Sequence, residues 1–311
     1  MIRNEFDAAG IADPLLRSAY RRCRQIAAEN GRTYFLATRL LAPDQRPAVH
    51  ALYAFARYAD DILDEFNPDL DAATRSERLQ QLSDRFFAGG DHRQDPVLAA
   101  VDHTVRRYGI SADLFEDFLA SMRMDLTVTD YPDRDALNRY MRGSAEVIGL
   151  QMLPVLGTIS GADEAAPYAA ALGRAFQLTN FLRDIDEDLM RGRIYLPADE
   201  LGTFGVDREL MLWCHNHRRT DSRVRAALAA QHDITRQTYR FARHGIAMLA
   251  PRSQPCVATA LTLYSEILDC IEDSDFSVFS HRATVGTTRR LQVAGGALLR
   301  SWRVRRQVGA A

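Results

Sequence analysis

Two acidic stretches carry the chemistry open to this chain. The stretch Gln177–Asp188, QLTNFLRDIDED, lies inside a longer helical pattern, LGRAFQLTNFLRDIDEDLMRG, that lacks proline and ends at Gly192 as its C-cap. On a helix each residue advances about 100°, so Asn180, Asp184 and Asp188 fall within roughly 60° of Gln177. Asp186 falls about 180° away, on the other side. Carboxylates stacked at i and i+4 repel when both are charged. A row that keeps them calls for a counter-charge. Hard oxygen donors with open positions suit Mg²⁺ holding a phosphate-bearing molecule. A lone D-x-x-x-D would read as a solvated surface face. A second, matching helix changes that reading.

The second stretch is Tyr53–Asp64, YAFARYADDILD. Arg57, Asp60, Asp61 and Asp64 cluster on one side, with Tyr53 one turn earlier. Asp60 and Asp64 are about 40° apart, and Asp61 is also within reach of Asp64, so spacing leaves the choice between Asp60 and Asp61 open. Two such helices facing one another can hold several Mg²⁺ ions and clamp a diphosphate. Arg57 and Arg183, on neighbouring turns, offer bidentate contacts to phosphate oxygens.

The elements that must position these residues are all helical. Apolar residues recur at helical spacing over about 14–29, 44–65, 75–87, 97–108, 112–128, 133–160 (kinked at Pro154), from Asp163 onward, and over about 207–216, 221–248, 252–273 and 287–304. Residues 1–13 read as a loose leader and RIYLPADELGTFGVD as an irregular connection. There is no alternating strand pattern, internal repeat or dividing linker. The expectation is one all-α domain over residues 1–311, a bundle of long helices around a central cavity, with a basic C-terminal helix and tail from about 287. The apolar window Val147–Leu156 is the natural cavity wall.

Composition narrows the function classes. Hydrophobic residues make up 47% of 311, enough for a sizeable core. A net charge of -2 gives no support to nucleic-acid binding. All 39 basic residues are Arg, the mark of a GC-rich, bacterial genome. Cys23, Cys214, Cys256 and Cys270 are scattered and read as reduced cytosolic thiols. The N-terminus has no apolar signal region, and the most apolar window, Ala145–Ala162, is interrupted by Glu146, Gln151 and Pro154. Cys214-His215-Asn216-His217 lacks a second ligand pair and reads as a surface cluster. Asp125 and Asp130, flanking LTVT, read as a helix terminus rather than a site. No glycine-rich strand-to-helix turn marks a dinucleotide site, so NADPH is not expected. The tail RSWRVRRQ is basic, with Trp302; a solvated last helix is one reading, contact with an anionic membrane surface the other.

At the two acidic stretches the chain resembles the squalene/phytoene synthase family of prenyl transferases. YADDILD is similar to the family's aspartate-rich helix, and QLTNFLRDIDEDLMRGRIYLP to its second signature. The resemblance runs from about Arg32 to Arg282, and GRTYFLATRLLAPDQRPAVHALYAFARYADD looks most like bacterial phytoene synthases. It implies an isoprenoid-synthase-like bundle with Asp60, Asp64, Asn180, Asp184 and Asp188 as ligands or water-mediated partners of Mg²⁺, or of Mn²⁺. It implies that Gln177 lines the cavity and that Tyr53, Arg57 and Arg183 meet diphosphate. Tyr140 matches a cavity tyrosine, and Tyr264 with Arg282 a second phosphate-side pair. Asn30 stands where some relatives have His, and Ser265 where a basic residue is expected. The implied reaction is head-to-head condensation of two geranylgeranyl diphosphates to phytoene in carotenoid biosynthesis, through a cyclopropylcarbinyl diphosphate, in the cytoplasm or at the inner face of the membrane. Farnesyl-diphosphate users making squalene, dehydrosqualene or presqualene diphosphate are the alternative within the family. A non-catalytic scaffold is the alternative outside it, and it predicts eroded aspartates. Oligomeric state is left open.

Overall fold

The structure, a computed structural model, describes residues 4–64, 71–90, 92, 94–293, 295 and 298; the side chains of residues 32, 33 and 64 lie outside that description. The tail around Trp302 and the far end of the helix expected over 287–304 also lie outside it.

Aspartate side chains cap six of the helices among the described residues. Asp13 caps α2 (Pro14–Asn30), accepting from the Leu15 and Leu16 amides, with Pro14 preset for the first turn. Asp71 caps α5 (Ala72–Ala88), Asp95 caps α6 (Pro96–Tyr108) and Asp133 caps α8 (Arg134–Met141) in the same way. Each such cap contributes about 1 kcal/mol. Among the described residues there is no β-strand, only isolated bridges Asp130–Ile194 and Thr158–Leu249.

Two apolar cores result. The first gathers α2, α4 (Arg46–Asp64), α5, α6 and α7 (Asp113–Met124) around Phe55, whose ring meets Phe86 and Phe115 at 4.9 and 5.4 Å. The second gathers α8, α10 (Ala162–Arg183), α11 (Ile185–Met190), α14 (Ser222–Arg243) and α15 (Gln254–Asp273) around Leu137, Leu182 and Leu268. Between them, α10 packs against α9 (Val147–Leu156), α14 and α15. Its contact with α9 and the turn before it is backbone to backbone. A Cβ on Gly149 would lie 2.1 Å from the Ala169 carbonyl oxygen, and one on Gly173 2.2 Å from that of Ala145. Only glycine permits that approach.

Three expectations are corrected. Residues 4–13 are not loose. Asn4 caps α1 (Glu5–Ala8), and Phe6, Ala9 and Ile11 are buried in the first core, while Arg17 donates to the Ile11 carbonyl at 2.6 Å. One buried residue in a four-residue helix and two after it are too few to show periodicity. The helix expected over 133–160 is two helices joined by a π-helical turn, Arg142–Glu146, and Ser121 Oγ donates to the Tyr140 carbonyl at 2.8 Å just before that turn. The continuous helix expected through Asp188 breaks at Asp184, where φ is -103°. Amide bonds from Asp184 to Asn180 and from Asp188 to Asp184, both 2.8 Å, carry the register across the break. Gly192, at φ 78°, ends α11 as its sequence position indicates. The connection Arg193–Val206 includes a short helix, α12 (Ala198–Gly202), and α13 (Arg208–His217) follows it.

Candidate active site

A cavity of about 630 Å³ lies between the two cores. One face of α10 runs along it. Ala165, Tyr168, Ala169, Leu172, Gly173 and Phe176 line its apolar length, then Gln177, Asn180, Arg183 and Asp184 its polar end. Asp188 of α11 continues the row. The spacing of three and four is that of a single helix face. Asp186 faces away: His215 Nδ1 lies 2.6 Å and Arg218 Nη1 2.9 Å from its carboxylate. That contact also accounts for His215. Cys214 is buried in the core, and His217 Nδ1 bonds the Trp213 carbonyl.

From the opposite wall α4 presents Tyr53, Arg57 and Asp60 to the cavity. Tyr53 stacks on Tyr34 at 4.8 Å. Asp61, more than half exposed, does not line the cavity and takes Arg57 Nη2 at 2.5 Å. Of the two aspartates that spacing left open, Asp60 therefore faces the cavity. Asp64 ends α4, and its side chain lies outside the described residues. On α15 Tyr264 lines the cavity and stacks on Phe176 at 4.3 Å. Its neighbour Ser265 turns back to the Thr262 carbonyl. Asn30, exposed at the end of α2, bonds the Ile26 carbonyl. The expected wall residues Ile148, Gly149, Met152, Leu153 and Leu156 do line it.

The polar end is tightly paired. Arg183 donates side-on to both oxygens of Asp184, at 2.7 and 2.5 Å. Arg282, from the connection after α15, adds a third bond to Asp184 at 2.7 Å and lies 3.4 Å from Glu187. Burial raises the Asp184 carboxyl, but the two guanidinium groups outweigh it and hold it below the usual range. Burial, then the Asp184 charge, push Asp188 up to about 7. Asn180 Nδ2 faces Gln177 Oε1 at 3.4 Å, while its Oδ1 is buried with no hydrogen-bond partner. A buried carbonyl oxygen without a donor is costly unless a cation or donor meets it.

Sequence reasoning missed a second polar group at this end. Asp125, read only as a helix terminus, both ends α7 and lines the cavity. Buried Tyr140 donates to its Oδ2 at 2.9 Å, and Tyr195 to its Oδ1 at 3.4 Å. Arg193 donates to the Asp125 carbonyl and to Tyr195 Oη, at 2.7 and 3.2 Å. Burial, with the Asp125 charge, pushes the Tyr140 hydroxyl well above its ordinary pKa, so it stays a neutral donor. Phe181 stacks on Tyr195 at 4.2 Å and holds the ring. The available signals were the R-I-Y-L-P tail of the second stretch and an acid at a helix C-terminus, where the dipole disfavours it. A recess of about 190 Å³ adjoins this group and shares Asp125, Arg191 and Arg193 with the cavity.

The architecture matches a solved structure along its whole length. A dehydrosqualene synthase crystal structure in complex with a ligand aligns with a TM-score of 0.81 and 24% identity, covering 99% of this chain and 100% of that one. That likeness shows the fold. Residues 27–289 match the Squalene/phytoene synthase family. A chloroplastic phytoene synthase 3 from Zea mays is 38% identical over 291 residues, 92% of this chain and 67% of its own. A phytoene synthase from Arthrospira platensis is 36% identical over 300 residues, 93% of this chain and 95% of its own. The chain belongs to the squalene/phytoene synthase family.

Proposed function

We propose that this protein is a prenyl transferase that condenses two geranylgeranyl diphosphates head to head into phytoene, releasing two diphosphates. The observation that carries the reading is the cavity itself: one largely apolar cavity onto which both α4 and α10 bring charged side chains, Arg57 and Asp60 from the first and Arg183 and Asp184 from the second. Identity of 36% to a phytoene synthase along nearly all of both chains supports the same assignment. One catalytic domain acting in the cytoplasm, beside the membrane that takes up its product, completes the proposal. No helix among the described residues is long and apolar enough to cross a membrane.

The residues fit a divalent cation. Asn180 Oδ1 is a buried acceptor without a donor, and Asp184 and Asp188 are hard oxygen donors whose charges penalise each other. Among the described residues no three His, Cys, Asp or Glu side chains converge as a ready-made site. The ligand set we propose is Asp60, Asp64, Asn180, Asp184 and Asp188, shared with diphosphate oxygens. Mg²⁺ held there would supply Lewis-acid chemistry, neutralising diphosphate so that it can leave. Arg57, Arg183 and Arg282, with Tyr53 and Tyr264, orient the same oxygens.

Breaking the C1–O bond of the first substrate leaves an allylic cation. Apolar walls keep water from it, and the Phe176–Tyr264 pair offers ring faces to its charge. The C2–C3 double bond of the second substrate attacks, and loss of a proton closes a cyclopropane that still carries diphosphate. Ionisation of that second diphosphate, rearrangement and a last proton loss leave two C1 carbons joined by a double bond. No hydride enters. Tyr140 Oη, its proton committed to Asp125, presents lone pairs at this end of the cavity. The test incubates purified protein with farnesyl or geranylgeranyl diphosphate and Mg²⁺, with and without NADPH. A C40 hydrocarbon unchanged by NADPH supports the proposal; a C30 product, or one altered by NADPH, moves the chain to the squalene branch.

A further inference from the structure

The polar and apolar ends of the cavity are both built on α10, so the helix measures the distance between them. Asp184 and Asn180 stand at the polar end; toward the other, Tyr168 is the last large side chain of α10 to line the cavity, with only Ala165 beyond it. At 1.5 Å per residue, Tyr168 is about 24 Å from Asp184 and about 18 Å from Asn180 along the axis. An extended carbon chain advances about 1.25 Å per bond, the geometry that sets Cα atoms 3.8 Å apart over three bonds. A C20 prenyl group, with four main-chain carbons per isoprene unit, therefore spans about 20 Å, a C15 group about 15 Å and a C25 group about 25 Å. The C20 chain fits the interval; the C15 chain stops about a turn short, and the C25 chain overruns it.

Tyr168 is held as a stop. Outside it, Phe241 stacks on its ring at 4.7 Å and is itself 48% exposed. Beneath it, Gly245 makes room: a Cβ there would lie 2.3 Å from Tyr168 Cβ. Leu153, Ala165 and Leu249, which line the same cavity, are buried together as a small cluster separate from the two main cores. The ring thus stands between the apolar end of the cavity and a surface phenylalanine.

Resting on the condensation reading above, we propose that Tyr168 is the floor against which the prenyl chain ends, and that it selects C20 over longer substrates. Leu172, one turn nearer the polar end on the same face, sets the level at which a bulkier side chain would raise that floor. Tyr168→Ala should open the end toward Phe241 and raise the C25-to-C20 ratio of kcat/KM by about tenfold or more. Leu172→Phe should shift preference the other way, toward C15, by a similar factor. Calorimetric binding of unreactive C15, C20 and C25 thiolodiphosphate analogues gives the same ratios without turnover, and thermal melting checks each fold. If wild type makes no hydrocarbon from C20, the condensation reading is at fault. If wild type does so while Tyr168→Ala, folded, keeps its C25-to-C20 ratio in both turnover and binding, the floor assignment is overturned. Should Tyr168→Ala fail to fold, Leu172→Phe decides: an unchanged C20-to-C15 ratio overturns the assignment and a shift toward C15 sustains it.

Discussion

Replacing Asp186 by Asn tests the register on which the acidic row depends. Asp186 sits two residues from both Asp184 and Asp188, yet it faces away from the cavity toward His215 and Arg218. Its carboxylate is largely covered, at 19% exposure, but Arg218 is 57% exposed, so solvent screens that pair to a few tenths of a kcal/mol. The bond to His215, 21% exposed, contributes about 1 kcal/mol, and Asn keeps an acceptor for one partner. The expected loss is about 1 kcal/mol, or about 2–4 °C in Tm. Turnover should stay within about twofold of wild type, because no cavity contact changes. Asp184→Asn should behave oppositely. It removes a charge held by Arg183 and Arg282 at the polar end, and about 2–4 kcal/mol of transition-state stabilisation, about 30- to 1,000-fold in rate. Steady-state diphosphate release and thermal melting on both variants decide the matter. An activity loss in Asp186→Asn as deep as that in Asp184→Asn would refute the register and the assigned ligand row together.

Further outcomes follow from the same geometry. Asp60→Ala should abolish turnover with Tm unchanged or raised, since it removes a cavity-facing charge rather than a packing group; wild-type activity would remove α4 from the site. Asp188 keeps its proton in the metal-free protein up to about pH 7, whereas the unfolded carboxyl loses it near 3.8. Between those values the folded state binds more protons, so metal-free stability falls as pH rises through that window. Mg²⁺ needs the carboxylate, so its Tm gain should be larger at about pH 8 than at about pH 6; equal gains would contradict the ligand role of Asp188. Gly149→Ala should destabilise by about 1–3 kcal/mol, because the added methyl meets the Ala169 carbonyl of α10; chemical denaturation at wild-type stability would show that the two helices separate freely.

What the sequence displayed was whatever repeats at short range. The 3.6-residue period placed Gln177, Asn180, Asp184 and Asp188 on one face and Asp186 on the other, and the helix break at Asp184 did not disturb it because the i to i+4 amide bonds continue. The spacing of apolar residues gave most helix limits to within a few residues. What it concealed was whatever depends on partners far along the chain. Asp125 reads as a helix end until Tyr140, 15 residues on, and Tyr195, 70 residues on, meet its carboxylate. Asp60 and Asp61 are equivalent by spacing; packing turns one inward and pairs the other with Arg57. The resemblance implied that Arg282 belongs to a phosphate-side pair with Tyr264; its bond to Asp184, across 98 residues, was not implied.

The central claim is a head-to-head condensation that ends by proton loss. Geranylgeranyl diphosphate carrying two deuterium atoms on C1 tests it most directly. Two such substrates bring four deuterium atoms to the two joined carbons. One leaves when the cyclopropane closes and one when the final double bond forms, so the C40 product should retain two, with or without NADPH. Retention of three, with a hydrogen gained from NADPH, would contradict the claim and make the chain a reductive coupling enzyme. A C20 alcohol or diene that keeps both deuterium atoms of its single substrate would mean that ionisation occurs without condensation.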